Sequence, residues 1–357
     1  MNFYISNSKS LAKKSALLIL LVFLFWNIVL DGMLKIYVDR KTNKNSFIEE
    51  KISKSKHMKL QEHADHLDVI FIGSSRTIYH ISTEQFGRKG MHVYNFGVSD
   101  RGLADYPFMV KEAMALNPKM IVISVEVSAL YKGAIGNFKQ LTWEDLKYVL
   151  RFEPLSKWGE AIKEYVLGKH LLFQHAEPMN IRISHFYHQF DSKDDKIKHG
   201  ISGKADQDHR SERKKLEADC SIFDYNYPGP HKVVAKCTNG DGVLFGSTLS
   251  DVNRTETFKK LDETYVAWIN TLFDQIKAEG VTPVLVLEPV RAQHYRYDLK
   301  MIKKRIHATV IDLTKVSIED QYWADNKHVN VKGRAIYTEM LTKKLSEIMD
   351  VKTRGKE

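Results

Sequence analysis

The stretch DVIFIGSSRTIYHIS, Asp68 to Ser82, decides how the chain folds. Four consecutive apolar residues, Val69 to Ile72, stop abruptly at Gly73, and two serines and an arginine follow. An unbroken apolar run of this length suits a strand buried on both faces, the kind found in parallel sheets. Gly73-Ser74-Ser75 then has two readings. Glycine and serine are ordinary turn residues. A serine held at the carboxyl end of a buried strand is also well placed to act as a nucleophile.

The pattern repeats outward from this run. Ser82 and Gln85 have the spacing of a capping box and open a helix. HVYNFGVSD (His92–Asp100) reads as a second strand, YPFMVKEAMALN (Tyr106–Asn117) as a helix closed by Pro118, and KMIVISVEVS (Lys119–Ser128) as a third strand rich in β-branched residues. This β-α-β-α-β outline implies a parallel sheet with helices on both faces. The pattern lapses over residues 131–255, where WEDLKYVLRF and WGEAIKEYVLG are helical, Asp191–Cys220 is a solvated polar excursion, and DYNYPGPHKVV and CTNGDGVLFGS suggest loops or a hairpin. It resumes at Glu256. A long helix ending at Gly280 is expected, then strands at Thr282–Val290 and Ala308–Thr314 and a last helix at Gly333–Met349. The expected fold class is therefore α/β, a three-layer α/β/α sandwich over residues 66–350, interrupted by one insertion.

The 357 residues are ample for such a core, and a hydrophobic content of 43% excludes a disordered chain. The net charge of +10 comes without a zinc-finger spacing, an RNA-binding signature or a basic heptad. It fits an anionic membrane surface or envelope polymer better than nucleic acid. Behind a short leader (residues 1–14), SALLILLVFLFWNIVL (Ser15–Leu30) carries no charge. It would make about 24 Å of helix, against a hydrocarbon core of about 30 Å. Continuation through Met33–Val38 and snorkelling of Lys14 would close the gap, so residues 15–38 read as a transmembrane anchor. No small-residue cleavage site follows Leu30, so an uncleaved signal anchor is preferred to a signal peptide. The bulk of the chain is then extracytoplasmic, joined by a connector at residues 39–65. Cys220 and Cys237 would close a surface loop in an oxidising compartment, or remain two thiols.

A serine nucleophile needs a base, and the base an orienting group. Fifteen histidines compete for the role. Position favours YWADNKHVNVKGR, which sets Asp325 three residues before His328 in a loop entering the last helix. Parallel sheets collect functional groups in loops at the carboxyl ends of strands, and this loop reaches the one after strand one only if both lie on the same edge of the site, which spacing alone does not show. Asp325 also suits a helix cap. His185 and His188 have a metal-compatible spacing but no third ligand, and neither a Walker loop nor a G-x-G-x-x-G motif is present, so no metal or cofactor is expected.

Gly73-Ser74-Ser75, Asn95-Phe96-Gly97 and Asp325-Asn326-Lys327-His328, in that order, resemble three blocks of the SGNH (GDSL-type) hydrolase superfamily. The resemblance implies Ser75 as nucleophile, with Ser74 as the alternative, His328 as base and Asp325 as its orienter. It implies oxyanion donation by the Ser75 and Gly97 amides, with Asn95 as a further candidate. The usual Gly-x-Asn-Asp block after strand three is absent; SVEVSAL stands there instead. Arg76 and Glu126 are candidate substrate contacts. A Gly-Ser-Ser start and one amino-terminal anchor look like the membrane-anchored branch that includes proteins of lipoteichoic-acid D-alanylation and alginate O-acetylation. That likeness implies acyl transfer or ester hydrolysis on an envelope polysaccharide or teichoic-acid-like polymer, beside a membrane-bound O-acyltransferase partner.

Overall fold

The structure is a computed structural model that describes residues 14–19, 21, 22, 25, 67–99, 101–136, 138, 141–169, 220–225, 232–237, 240–247, 249, 254–291 and 293–354. The connector, the polar excursion before Cys220 and the pair His185 and His188 lie outside these residues. So does most of Ser15–Val38; its described residues are helical. Among the described residues no helix is long and apolar enough to cross a membrane.

The first half of the domain runs β1 (Val69–Gly73), α1 (Ser75–His80), α2 (Thr83–Gly87), β2 (Val93–Gly97), α3 (Tyr106–Met114), β3 (Met120–Glu126) and α4 (Val127–Lys132). Helices α5 (Trp143–Phe152) and α6 (Leu155–Lys169) follow, then strands β4 (Cys220–Tyr225), β5 (Lys232–Cys237), β6 (Gly242–Phe245) and β7 (Arg254–Thr257). The chain closes with α7 (Glu263–Ala278), β8 (Thr282–Glu288), β9 (Gln293–Arg296), α8 (Leu299–Arg305), β10 (Thr309–Asp312) and α9 (Val331–Arg354).

Five strands form one sheet in the order β10-β8-β3-β1-β2, and every pairing is parallel. Counted along the chain this is the doubly wound order 2-1-3-4-5. Its direction of winding reverses between β1 and β3, where ligand crevices of open α/β sheets form. Alternation along β1 builds both outer layers. Ile70 and Ile72 join a core with Met109 and Val110 of α3, Val149 of α5 and Trp268 and Phe273 of α7. Val69 and Phe71 join a second core with Phe86 of α2 and Tyr337, Leu341 and Leu345 of α9. Each fully buried side chain of this kind contributes about 1.5–3 kcal/mol.

Three elements differ from the sequence expectation. Residues after Gly73 form helix α1 rather than a bare turn. The long helix before strand β8 starts at Glu263, where the Asp262 side chain accepts the Tyr265 N–H; the residues ahead of it form β7, which pairs in parallel with β9. The insertion supplies an antiparallel sheet, β4-β5-β6. Cys220 and Cys237 stand opposite each other in its β4–β5 register and are joined as a disulfide.

Candidate active site

Helix α1 lies directly on the carboxyl ends of β1 and β2, and two glycines make that possible. Gly73 and Gly97 are register partners. A Cβ on Gly73 would stand 2.1 Å from Thr77 Oγ1, and one on Gly97 would stand 2.8 Å from the Ile78 nitrogen. Any other residue at either position would push α1 off the sheet. Ser74 takes extended geometry as the residue preceding the helix, and Ser75 is the first helical residue. The Ser75 N–H is therefore among the early helical amides that have no acceptor within the helix.

Ser75 Oγ lies 2.8 Å from His328 Nε2. His328 Nδ1 lies 3.0 Å from both carboxylate oxygens of Asp325. A carboxylate only accepts, so Nδ1 carries the proton and Nε2 offers its lone pair to the serine hydroxyl. Asp325 is fixed in turn by its own loop: its Oδ1 accepts the Lys327 N–H at 2.8 Å and the His328 N–H at 2.9 Å. Arg291, just beyond β8, grips Asp320 with Nε and Nη2 at 2.9 Å each and donates through Nη1 to Asn326 Oδ1 at 3.0 Å. The Tyr79 ring meets the His328 ring edge-on, with centroids 5.4 Å apart. Ser75, His328 and Asp325 thus lie together, each partly exposed.

Two of the three expected oxyanion groups, Gly97 and Asn95, are engaged with each other and with neighbouring elements. The Gly97 N–H donates to Asn95 Oδ1 at 3.0 Å. Asn95 is fully buried, and its Nδ2 donates to the Thr77 carbonyl at 2.9 Å and to Asp241 Oδ1 at 3.2 Å. Asn95 therefore ties β2 to α1 instead of facing the serine. The Asn-Phe-Gly block serves here to seat helix α1.

Arg76 and Glu126 are not free substrate contacts either. Arg76 Nε bonds Glu288 Oε2, and Nη1 bonds Glu126 Oε2, each at 2.9 Å. Glu126 and Glu288 are register partners at the ends of β3 and β8, so the guanidinium bridges two adjacent strand ends. Burial works against the Arg76 charge, but the two carboxylates outweigh it and hold its pKa above the ordinary arginine value. Burial raises the Glu288 carboxyl above the usual carboxylate range, against the pull of Arg76. Burial pushes Glu126 up as well, yet Arg76 and hydrogen bonds from Ser128 and Tyr295 outweigh it and leave that carboxyl below the usual range.

The insertion reaches this site through Asp241. Its buried carboxylate accepts the Thr83 N–H and hydroxyl at 2.9 Å each and the Asn95 amide, and it pairs with the Arg334 guanidinium. Gly240 (φ +80°) makes the approach possible, since a Cβ there would stand 2.2 Å from the Asn95 carbonyl oxygen. Sequence reasoning missed Glu288, Asp241, Arg334 and His80. Only Glu288 carried a signal, an acidic residue ending an apolar strand as Glu126 does. Comparison with protein-family models, with curated proteins and with solved structures finds no match to this chain.

Proposed function

We propose that the chain is a serine-dependent acyltransferase or acyl esterase working through an acyl-serine intermediate. The 2.8 Å contact between Ser75 Oγ and the lone-pair nitrogen of a carboxylate-oriented His328 is the observation that carries this reading. His328 Nε2 takes the hydroxyl proton as Ser75 Oγ attacks an ester or thioester carbonyl. The Ser75 N–H, at the first position of α1, would donate to the developing oxyanion. His328 returns the proton to the leaving group, and a sugar or polyol hydroxyl, or water, then receives the acyl group by the same route in reverse. The order and spacing of the three motifs support membership of the SGNH superfamily and a fold of that type. An envelope polysaccharide or teichoic-acid-like polymer is the proposed acceptor, and a membrane-bound O-acyltransferase the proposed partner. The charge-free Ser15–Leu30 segment supports a single-pass anchor, and the Cys220–Cys237 disulfide supports an extracytoplasmic domain.

One observation favours a second reading, a non-catalytic domain that binds an envelope polymer or scaffolds an acyltransferase. The Gly97 amide already donates to Asn95 Oδ1, so the expected second oxyanion donor is engaged. A fluorophosphonate probe separates the two. Labelling that disappears in Ser75→Ala supports the enzyme; a folded wild type that resists the probe supports the binding domain.

A further inference from the structure

We propose that His80 is a positioning residue that holds the His328 loop to the nucleophile's own helix, an inference that rests on the acyl-serine reading of Ser75. Serine and histidine are the first and last residues of α1, about 7.5 Å apart along its axis. At the amino end Ser75 Oγ meets the tip of the His328 ring. At the carboxyl end His80 Nε2 lies 3.2 Å from the carbonyl oxygen of Lys327, the residue just before His328. A carbonyl only accepts, so His80 Nε2 carries the proton and donates. One short helix thereby fixes the base at its backbone and at its reacting nitrogen.

The His80 ring is itself held from the other side. It is fully buried, and it packs edge-on against Trp323 and Tyr337, with centroids 6.2 and 5.1 Å away. Thr338 Oγ1 donates to the His80 carbonyl at 3.1 Å and also accepts the Ser82 N–H at 2.9 Å, so α9 pins the end of α1. Tyr79 of the same helix also meets the His328 ring edge-on, and two further supports act from outside α1. The Asp325 turn braces His328 from within the loop, and Arg291 holds the loop from β8. Proton transfer depends steeply on the distance between Ser75 Oγ and His328 Nε2, and a displacement of about 1 Å can cost about 100-fold in rate. A bond from α1 to the loop backbone sets that distance.

The test compares His80→Gln with His80→Asn. The glutamine amide reaches the position of imidazole Nε2; the asparagine amide is equally polar but too short. Two readouts are taken on the full chain, the rate of fluorophosphonate reaction at Ser75 and the pH titration of the His328 ring followed by NMR. His80→Asn is expected to slow labelling about 10- to 100-fold and to shift the ring titration, with His80→Gln restoring both to near wild type. Equal slowing in both variants would overturn the proposal, since the ring's shape alone would then matter. So would His80→Asn reacting at the wild-type rate with an unmoved titration. The ring titration reads the loop whether or not Ser75 reacts. A wild type that does not label removes the acyl-serine reading, and the inference then stands or falls on whether His80→Asn moves that titration.

Discussion

Asp325 holds the Nδ1 proton of His328 with both carboxylate oxygens at 3.0 Å, and this single relationship sets the polarity of the whole site. With the proton on Nδ1, Nε2 is left basic and faces Ser75. Asp325→Asn presents an amide donor where the imidazole expects an acceptor and favours the opposite tautomer. The expected result is a fall of about 10⁴-fold in the rate of Ser75 acylation by an activated ester, with little change in thermal stability. Stopped-flow kinetics beside a melting curve checks both halves.

Arg76 gives a prediction that separates ion pairing from substrate binding. Its side chain is 11% exposed and committed to Glu126 and Glu288. Arg76→Ala leaves the fully buried Glu288 without its cation and is expected to cost about 3–5 kcal/mol in chemical denaturation. A substitution that altered only the KM for an anionic substrate, leaving stability untouched, would restore Arg76 as a substrate contact.

Asp241 anchors the β5–β6 turn of the insertion in the main domain. Asp241→Ala strands the Arg334 charge, the Asn95 amide and the Thr83 donors at once. A loss of about 3–5 kcal/mol is expected, again by denaturant titration. Labelling at Ser75 should weaken alongside it, because Asn95 and Thr83 seat α1 and α2.

The Cys220–Cys237 disulfide closes the hairpin from which Asp241 emerges. By the chain-entropy argument for a loop of this size it contributes about 3 kcal/mol. Double replacement by serine is expected to lower the melting temperature of the unreduced protein to that of the dithiothreitol-treated wild type.

His80 gives a pH signature in stability. Burial, with His328 and Arg76 nearby, holds its pKa well below the ordinary 6.5, against the smaller opposing pull of the Lys327 carbonyl and Asp325. Below about pH 6.5 the unfolded chain takes up a proton at His80 that the folded chain refuses, so stability falls as pH falls. The slope from this one group reaches about 1.4 kcal/mol per pH unit. His80→Gln removes it, so the difference between the two proteins in denaturation at pH 5 to 7 should widen in the mutant's favour as the solution is acidified.

The sheet was legible because its strands are short apolar runs bounded by glycine, proline and charge. VIFIG, VYNFG and TPVLVLE are strands, and each begins where expected to within a residue. Ser75, Asp325 and His328 were singled out by the resemblance of their motifs, in order, to the SGNH blocks; spacing alone does not show that their loops meet, and the structure brings them within hydrogen-bond distance. The partners of Arg76 and Asn95 were not legible for one reason: a sequence shows that a residue is polar, not which buried partner it meets. Glu126 and Glu288 lie 162 positions apart in the chain and meet only through the β3–β8 register. His80 left no periodic trace, since its bond is to a backbone carbonyl, a group every residue carries.

Trapping the acyl-enzyme addresses the mechanism itself. The full chain is mixed with an activated acyl ester, quenched in acid within milliseconds and digested, and the peptide containing Ser74 and Ser75 is read by tandem mass spectrometry. An acyl group on Ser75 Oγ is expected in the wild type, greatly reduced in His328→Ala and absent in Ser75→Ala. An acyl group on Ser74, or none on a folded protein that consumes the ester, would contradict the acyl-serine mechanism proposed for Ser75.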